Sequence, residues 1–282
     1  MFRIVNKREL NSMVTLLEIE APFVAKKAQA GQFIIFRVDE FSERVPLTIA
    51  DYDREKGTVT IIFQKVGLST KLLAAKEIGD TIQDFVGPLG VATEYDGMKK
   101  VAVVGGGVGC AIAYPQAKAL HNLGVEVDVI AGFRNKDIVI LEDEMNAVAT
   151  NYYLMTDDGS QGEKGFVTDK LKSLIEAGNN YDAVIAIGPI PMMKFVSLTT
   201  KPFGIKTIVS LNPIMIDGTG MCGGCRVTVG GKIKFACVDG PDFDEVDFDE
   251  LMNRNSIYKA REAELTETHI CRMDKLANEL IK

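Results

Sequence analysis

Lys99-Lys100-Val101-Ala102-Val103-Val104-Gly105-Gly106-Gly107-Val108-Gly109 is the stretch on which the fold turns. Two lysines give way to four apolar residues with no polar alternation, and the run ends in glycines. A strand with one wet face alternates; this one does not, so it reads as a strand buried on both faces, the pattern of a parallel sheet. The following sequence keeps the same rhythm. AIAYPQAKALHNLG (111–124) is a helix ended by Gly124, and VEVDVIAGF (125–133) is a second apolar strand. Tyr152 to Thr156, FVTDKLKSLIEAG (166–178) and YDAVIAIGP (181–189) continue the alternation of strand and helix. Residues 98 to about 210 are therefore expected to form a doubly wound α/β domain with helices on both faces of the sheet.

Upstream, residues 1–97 change character. Val14–Glu20, Gly31–Val38, Thr58–Gln64 and Asp80–Asp84 are short, rich in β-branched and aromatic residues, and separated by Pro, Gly and charged clusters. That spacing predicts a small antiparallel barrel or sandwich with one helical insert, Ser69–Lys76. Downstream, residues 211–240 are dense in Gly and Cys. Residues 241–282 open on PDFDEVDFDE and end in a polar helical pattern, YKAREAELTETHICRMDKLANELIK. The expected architecture is β plus α/β: an antiparallel barrel, a parallel-sheet domain, a Cys-rich loop and a helical tail.

Composition narrows the function classes. The chain has 282 residues, 46% of them hydrophobic, enough for ordinary buried cores. Its 32 basic and 39 acidic residues give a net charge of −7, which argues against a nucleic-acid footprint. No apolar N-terminal run or membrane-length apolar stretch is visible, so a soluble cytoplasmic protein is expected. Five cysteines remain to be explained. Cys222, Cys225 and Cys237 are clustered, whereas Cys110 reads as a buried small residue and Cys271 as a thiol on a helix surface. A clustered, odd set without a secretion signal points to cofactor chemistry before disulfides.

The cluster follows Asp217-x4-Cys222-x2-Cys225-x11-Cys237. Cys-x4-Cys-x2-Cys with a distant fourth Cys is the plant-type [2Fe–2S] ligand run, and here Asp217 stands in the first position. A loop wrapped around inorganic sulfides needs inward-pointing N–H groups, which glycine backbones supply without strain. Structural zinc is the alternative, although zinc ribbons usually pair two CxxC knuckles and this chain has one.

The loop Gly105–Gly109 opens a helix after a strand, so its amides would face a pyrophosphate. Read as Gly105-x-Gly107-x-x-Cys110, the dinucleotide fingerprint has Cys where its third Gly belongs. Asp128 lies inside its strand and not at its end, a poor position for a ribose-binding acid. A plain strand–helix turn remains the alternative. Three further loops follow strands: Gly132–Asn135 with Arg134, Thr156–Ser160 with Asp157 and Asp158, and Gly188–Met193 with Pro189. In the barrel, Arg44-Val45-Pro46-Leu47-Thr48 and Gly67-Leu68-Ser69-Thr70 suit a pyrophosphate and a flavin ring; a surface Arg and a helix N-cap are the plainer readings.

Together with GPLG (87–90) and GPIPMMK (188–194), these motifs make the chain resemble a ferredoxin–NADP reductase type module with a C-terminal [2Fe–2S] site. That family includes the electron-transfer subunits of dihydroorotate dehydrogenase B and the small subunits of NADH-dependent reduced ferredoxin:NADP+ oxidoreductases, also described as sulfide dehydrogenases. Asp217, where the dihydroorotate type is expected to carry Cys, and the acidic tail favour the second. Relatives tend to have Pro in the first turn after the glycines; here the first is Pro115.

The resemblance implies FAD across the cleft between barrel and α/β domain. Arg44 would meet its pyrophosphate, Pro46, Leu47 and Thr48 its ring, and Gly67, Ser69 and Thr70 its phosphates. NAD(H) would lie over Gly106, Gly107, Val108 and Gly109, with Arg134, Gly188 and Pro189 in the neighbouring loops and Asp157 and Asp158 near the adenosine. Two carboxylates there disfavour a 2′-phosphate. Asp217, Cys222, Cys225 and Cys237 would hold the cluster. No side chain is expected to act as acid or base, and His121 and His269 read as surface residues. A large flavin and iron–sulfur subunit is the implied partner in a heterodimer, reaching NADP(H) and ferredoxin indirectly, with the tail from about Asp242 as a docking arm.

Overall fold

The computed structural model describes residues 1–252. The polar segment 258–282 for which a helix is expected, with Cys271 and His269, and most of the expected docking arm lie outside the described residues.

The first sheet is built from β1 (Phe2–Glu9), β2 (Val14–Glu20), β3 (Phe33–Arg37), β4 (Val45–Asp53), β5 (Thr58–Gln64), β6 (Thr81–Ile82) and β7 (Asp84–Leu89), with α1 (Pro22–Lys27) after β2 and α2 (Leu68–Ala74) after β5. Its order is β6-β1-β2-β5-β4-β3-β7, a nearly closed antiparallel barrel. Ile4, Leu17, Ile34, Phe36, Ile61 and Phe63 fill it. Three strands and one helix escape the sequence pattern. β1 is mostly polar because only one of its faces is covered, and β4 carries VPLT of the RVPLT motif within the sheet, where the sequence reading leaves it beside a strand. β7 meets the expected Asp80–Asp84 segment only at Asp84, and α1 is a second helix where one insert is expected.

The second sheet comprises β8 (Lys100–Gly106), β9 (Glu126–Phe133), β10 (Asn151–Thr156), β11 (Glu163–Lys164), β12 (Ala183–Ile187) and β13 (Lys206–Ser210). α3 (Cys110–Asn122), α4 (Glu142–Val148), α5 (Val167–Glu176) and α6 (Ile190–Thr200) connect them. All pairings among these strands are parallel, in the order β11-β10-β9-β8-β12-β13. Val101 to Val104 are fully buried, as the unbroken apolar run requires. Each of the three valine side chains contributes roughly 1.5–3 kcal/mol. α5 is the amphipathic counterpart: Val167, Leu171 and Ile175, spaced by four, face inward.

Past β13 the chain makes a hairpin, β14 (Arg226–Val229) and β15 (Lys232–Phe235), then a short α7 (Ala236–Asp239). It returns as β16 (Asp242–Phe243), antiparallel to β13 with Ser210 opposite Asp242. The segment expected to begin a docking arm thus starts as an edge strand of the α/β sheet. No helix among the described residues is long and apolar enough to cross a membrane.

Two features lock these parts together. Gly109, at the start of α3, sits so close to β12 that a Cβ would lie 2.4 Å from the Ile187 carbonyl oxygen. The close approach that the fingerprint assigns to its third glycine is therefore met here, one residue earlier than Cys110. The second feature is a buried polar knot. Thr93 Oγ1 and Gln116 Nε2 both donate to Asp242 Oδ2, and Tyr95 donates to Gln116. This ties the barrel's last loop, α3 and β16 to one carboxyl. Asp242 Oδ1 is buried with no protein partner, and burial holds the carboxyl above the usual carboxylate range. Only hydroxyl and amide donors (Ser210, Thr93, Gln116) oppose that rise.

Gly109→Ala should lower stability by about 1–3 kcal/mol, because a backbone carbonyl cannot swing aside as a side chain can. A melting temperature within a degree of wild type would contradict the packing role. Asp242→Asn should flatten the dependence of stability on pH. An acid whose folded value is raised stabilises fully below its unfolded value of about 3.9, and that contribution fades as pH climbs towards the folded value. Melting curves from pH 4 to 8 check this; a variant that loses stability with pH as steeply as wild type would exonerate Asp242.

Candidate functional site

The carboxyl ends of the parallel strands open on a cavity of 1350 Å³. That exceeds the usual range for a small-molecule pocket, roughly 300–1,000 Å³, and has room for a dinucleotide. Gly106, Gly107, Val108 and Gly109 form its floor at the start of α3, and Arg134, Asp157, Gly188 and Pro189 come from the three other predicted loops. The structure therefore gathers eight of the nine residues assigned to the α/β domain.

Asp158 is the ninth and stands apart. Its carboxylate accepts the Ser160 N–H at 2.9 Å, closing the turn after β10, and hydrogen bonding to Ser160 lowers its pKa. Asp128 is likewise engaged elsewhere: buried within β9, it accepts Asn151 Nδ2 at 2.7 Å and the Tyr181 hydroxyl at 2.6 Å. Cys110 is fully buried in the core, and burial pushes its thiol up to about 12.

A narrow crevice lies where the barrel meets this edge. Pro46, Leu47 and Thr48 of β4 form one side, and Ile112 of α3 with Ser210 and Asn212 after β13 form the other. Sequence reasoning finds the β4 side and misses Asn212. Its signal is available: TIVSLNP is a fifth strand end, and every strand end of a parallel sheet reaches the same edge. Arg44 stands at the entry to β4, where Nε donates to the Ile216 carbonyl at 2.7 Å.

Gly67, Ser69 and Thr70 line neither space. Ser69 and Thr70 are buried, and the Thr70 hydroxyl accepts the N–H groups of Val66 and Gly67 at 3.1 and 3.0 Å. That is helix-capping chemistry at the start of α2.

The Cys-rich loop packs against both domains. Cys225 and Cys237 are 1% exposed, share an apolar core with Phe33 and Ile35 of β3 and Val104 of β8, and bring their sulfurs to 3.3 Å without a disulfide. Burial, reinforced by Cys225, pushes the Cys237 thiol up to about 11. The Gly220 N–H pulls it the other way, and the Asp217 charge adds to the rise. Cys222 is exposed. The Asp217 carboxylate accepts the N–H groups of Thr219 at 2.8 Å and Cys222 at 2.7 Å, and these bonds hold its pKa below the ordinary value against a smaller desolvation cost.

Among the described residues, no three His, Cys, Asp or Glu side chains converge on a single metal position. The donor set nevertheless fits an iron–sulfur cluster. Two thiols and the Asp217 carboxylate share one glycine-rich loop, and the third thiol, Cys237 of α7, lies against Cys225, both buried and unbridged. Loop amides point at both the carboxylate and a sulfur.

Residues missed by sequence reasoning come from this loop. Gly224 and Arg226, the two neighbours of Cys225, line the large cavity together with the Gly106–Gly109 loop. Their positions beside a candidate ligand carried the signal, but only folding shows that this ligand's two neighbours form part of the cavity wall.

Comparison with known proteins agrees with this geometry. Residues 212–249 match the iron–sulfur cluster binding domain of dihydroorotate dehydrogenase B, which favours iron–sulfur over zinc. A Thermotoga maritima homologue of the dihydroorotate dehydrogenase B (NAD(+)) electron transfer subunit is 48% identical, covering 92% of each chain. The electron transfer subunit of Fusobacterium nucleatum is 36% identical over 80% of this chain and 88% of its own. A solved chain from work on flavin-based electron bifurcation, in the NADH-dependent reduced ferredoxin–NADP oxidoreductase, superposes with a TM-score of 0.88 at 45% identity, covering 96% of this chain and 98% of that one. Barrel and parallel-sheet domain together have the fold of the ferredoxin reductases. The chain belongs to the family of electron-transfer subunits typified by that of dihydroorotate dehydrogenase B.

Proposed function

We propose that this chain is the NAD(H)-facing electron-transfer subunit of a larger flavin and iron–sulfur oxidoreductase, working in flavin-based electron bifurcation between NAD, NADP and ferredoxin. One observation carries the reading: Gly224 and Arg226, on either side of Cys225, line the same cavity as Gly106–Gly109. A nucleotide site and a cluster site that share a wall suit electron transfer between them. When bound, NAD(H), FAD and a [2Fe–2S] cluster would supply hydride and one-electron chemistry that no side chain here provides.

The chain's own residues bind and orient. The amides of Gly106–Gly109, at the start of α3, receive a pyrophosphate, and Arg134 adds a cation. Pro46–Thr48 and Asn212 flank the ring of the flavin, and Arg44 meets its phosphates. Gly67, Ser69 and Thr70 keep a supporting role, since α2 orients its first amides through the Thr70 cap. Asp217, Cys222, Cys225 and Cys237 hold the cluster. Asp217, a harder donor than thiolate, sets this loop apart from an all-cysteine one.

The dihydroorotate dehydrogenase partner is the second reading, favoured by the 212–249 match. Asp217 in the first ligand position favours the bifurcating type. Purification from the native source decides between them: a large flavin and iron–sulfur subunit is expected to accompany the chain, and co-purification of a dihydroorotate dehydrogenase would select the second reading. The visible spectrum should show flavin bands over broad iron–sulfur absorbance; a colourless protein with stoichiometric zinc would refute both.

NADH should bind at least about tenfold more tightly than NADPH, because the Asp157 carboxylate in the cavity opposes a 2′-phosphate. With Asp158 engaged by Ser160, discrimination rests on Asp157, and Asp157→Ser should narrow the gap where Asp158→Ser leaves it. Titration of flavin reduction with each nucleotide measures this. Equal effects of the two substitutions would remove Asp157 from that role.

A further inference from the structure

The loop that carries Asp217 is joined to the barrel at two adjoining points. Arg44 Nε donates to the carbonyl of Ile216, the residue immediately before Asp217, at 2.7 Å and across 172 residues of sequence. Two residues further on, buried Gly218 has φ +76, and a Cβ there would lie 2.8 Å from Leu89 Cδ1 of β7 and 2.9 Å from Ile35 Cδ1 of β3. The backbone therefore lies directly on the barrel on one side of Asp217 and is held by a guanidinium on the other. Between these points the Asp217 carboxylate is aimed by the N–H groups of Thr219 and Cys222.

We propose that Arg44 is a positioning residue for the cluster loop, whose Nε–H clamps the Ile216 carbonyl and sets Asp217 relative to the barrel. The guanidinium fork makes a second duty compatible with the first. Nε on the loop leaves the two terminal nitrogens to face an anion, the geometry in which Arg serves a phosphate. Resting on the reading of Arg44 as the flavin phosphate anchor, one side chain then fixes the flavin and the first cluster ligand to each other. Lysine cannot replace it, because its donors share a single nitrogen and cannot span both partners.

The test uses the full chain, reconstituted with cluster and saturated with FAD, as wild type, Arg44→Lys, Arg44→Gln and Gly218→Ala. Cluster loss in excess chelator is followed by visible absorbance, the cluster midpoint potential by redox titration, and FAD affinity separately by flavin fluorescence. Arg44→Lys should lose its cluster about tenfold faster, the scale of one lost hydrogen bond to a charged group. It should also shift the midpoint potential without lowering the melting temperature of the barrel. Gly218→Ala, which lifts the same loop by another route, should move both readouts in the same direction. Unchanged cluster loss and potential in Arg44→Lys overturn the proposal. If cluster loss accelerates while Arg44→Gln leaves FAD affinity untouched, the clamp stands and the reading of Arg44 as a phosphate anchor fails.

Discussion

Parallel pairing sends the carboxyl ends of β8, β9, β10, β12 and β13 to one edge of a sheet, and the chemistry of this chain is arranged around that edge. Loops leaving parallel strands carry unpaired amides and open helices, so they offer positive potential without a charged side chain. Gly106–Gly109, Arg134, Asp157 and Gly188 reach the cavity for that reason. The barrel closes one side through Val14 of β2 and Gln64 of β5, and the Cys-rich segment closes another through Gly224 and Arg226. Remove the parallel sheet and none of these walls would face a common space.

Much of this was legible in the sequence because each signal is local. The apolar run Val101–Val104, the period of four in α5 and the β-branched segments of β2 and β5 depend on neighbours a few residues away. β1 was not legible: a strand that is polar over most of its length announces itself only through partners, and Ile4 is its one fully buried residue. β16 is two residues long and exists because β13 needs a neighbour. The same division holds for the site. Spacing alone exposes the Asp217–Cys237 set and the glycine loop, whereas Asn212 and Arg226 acquire a role only through tertiary packing. The assignment of Asp158 exceeds what the geometry supports, since a run of two carboxylates does not reveal which one turns back to cap its own loop.

The polar residues that bind the modules are mostly uncharged at the point of contact. Thr93, Gln116 and Tyr95 surround Asp242 with hydroxyl and amide groups, and ion pairs that cross between the domains, Lys118 with Asp51 at 2.7 Å and Arg8 with Glu144 at 2.5 Å, are only partly buried. A buried carboxyl without a cation is costly to ionise, so burial raises the pKa of Asp242 while its hydrogen bonds to Thr93 and Gln116 oppose the rise. Directional bonds of this kind fix the angle between barrel and sheet more tightly than apolar contact, which tolerates sliding.

Residues 211–241 leave the α/β sheet from β13 and come back to pair with the same strand, Ser210 opposite Asp242. The excursion therefore has both feet on one strand, like a handle and not a tether. A handle cannot swing out to fetch a partner as a mobile carrier domain would. Any approach of the cluster loop to a second protein therefore carries the edge of the sheet with it. The spacing between the cysteine loop and the strand ends it faces is thus written into the pairing of a single strand.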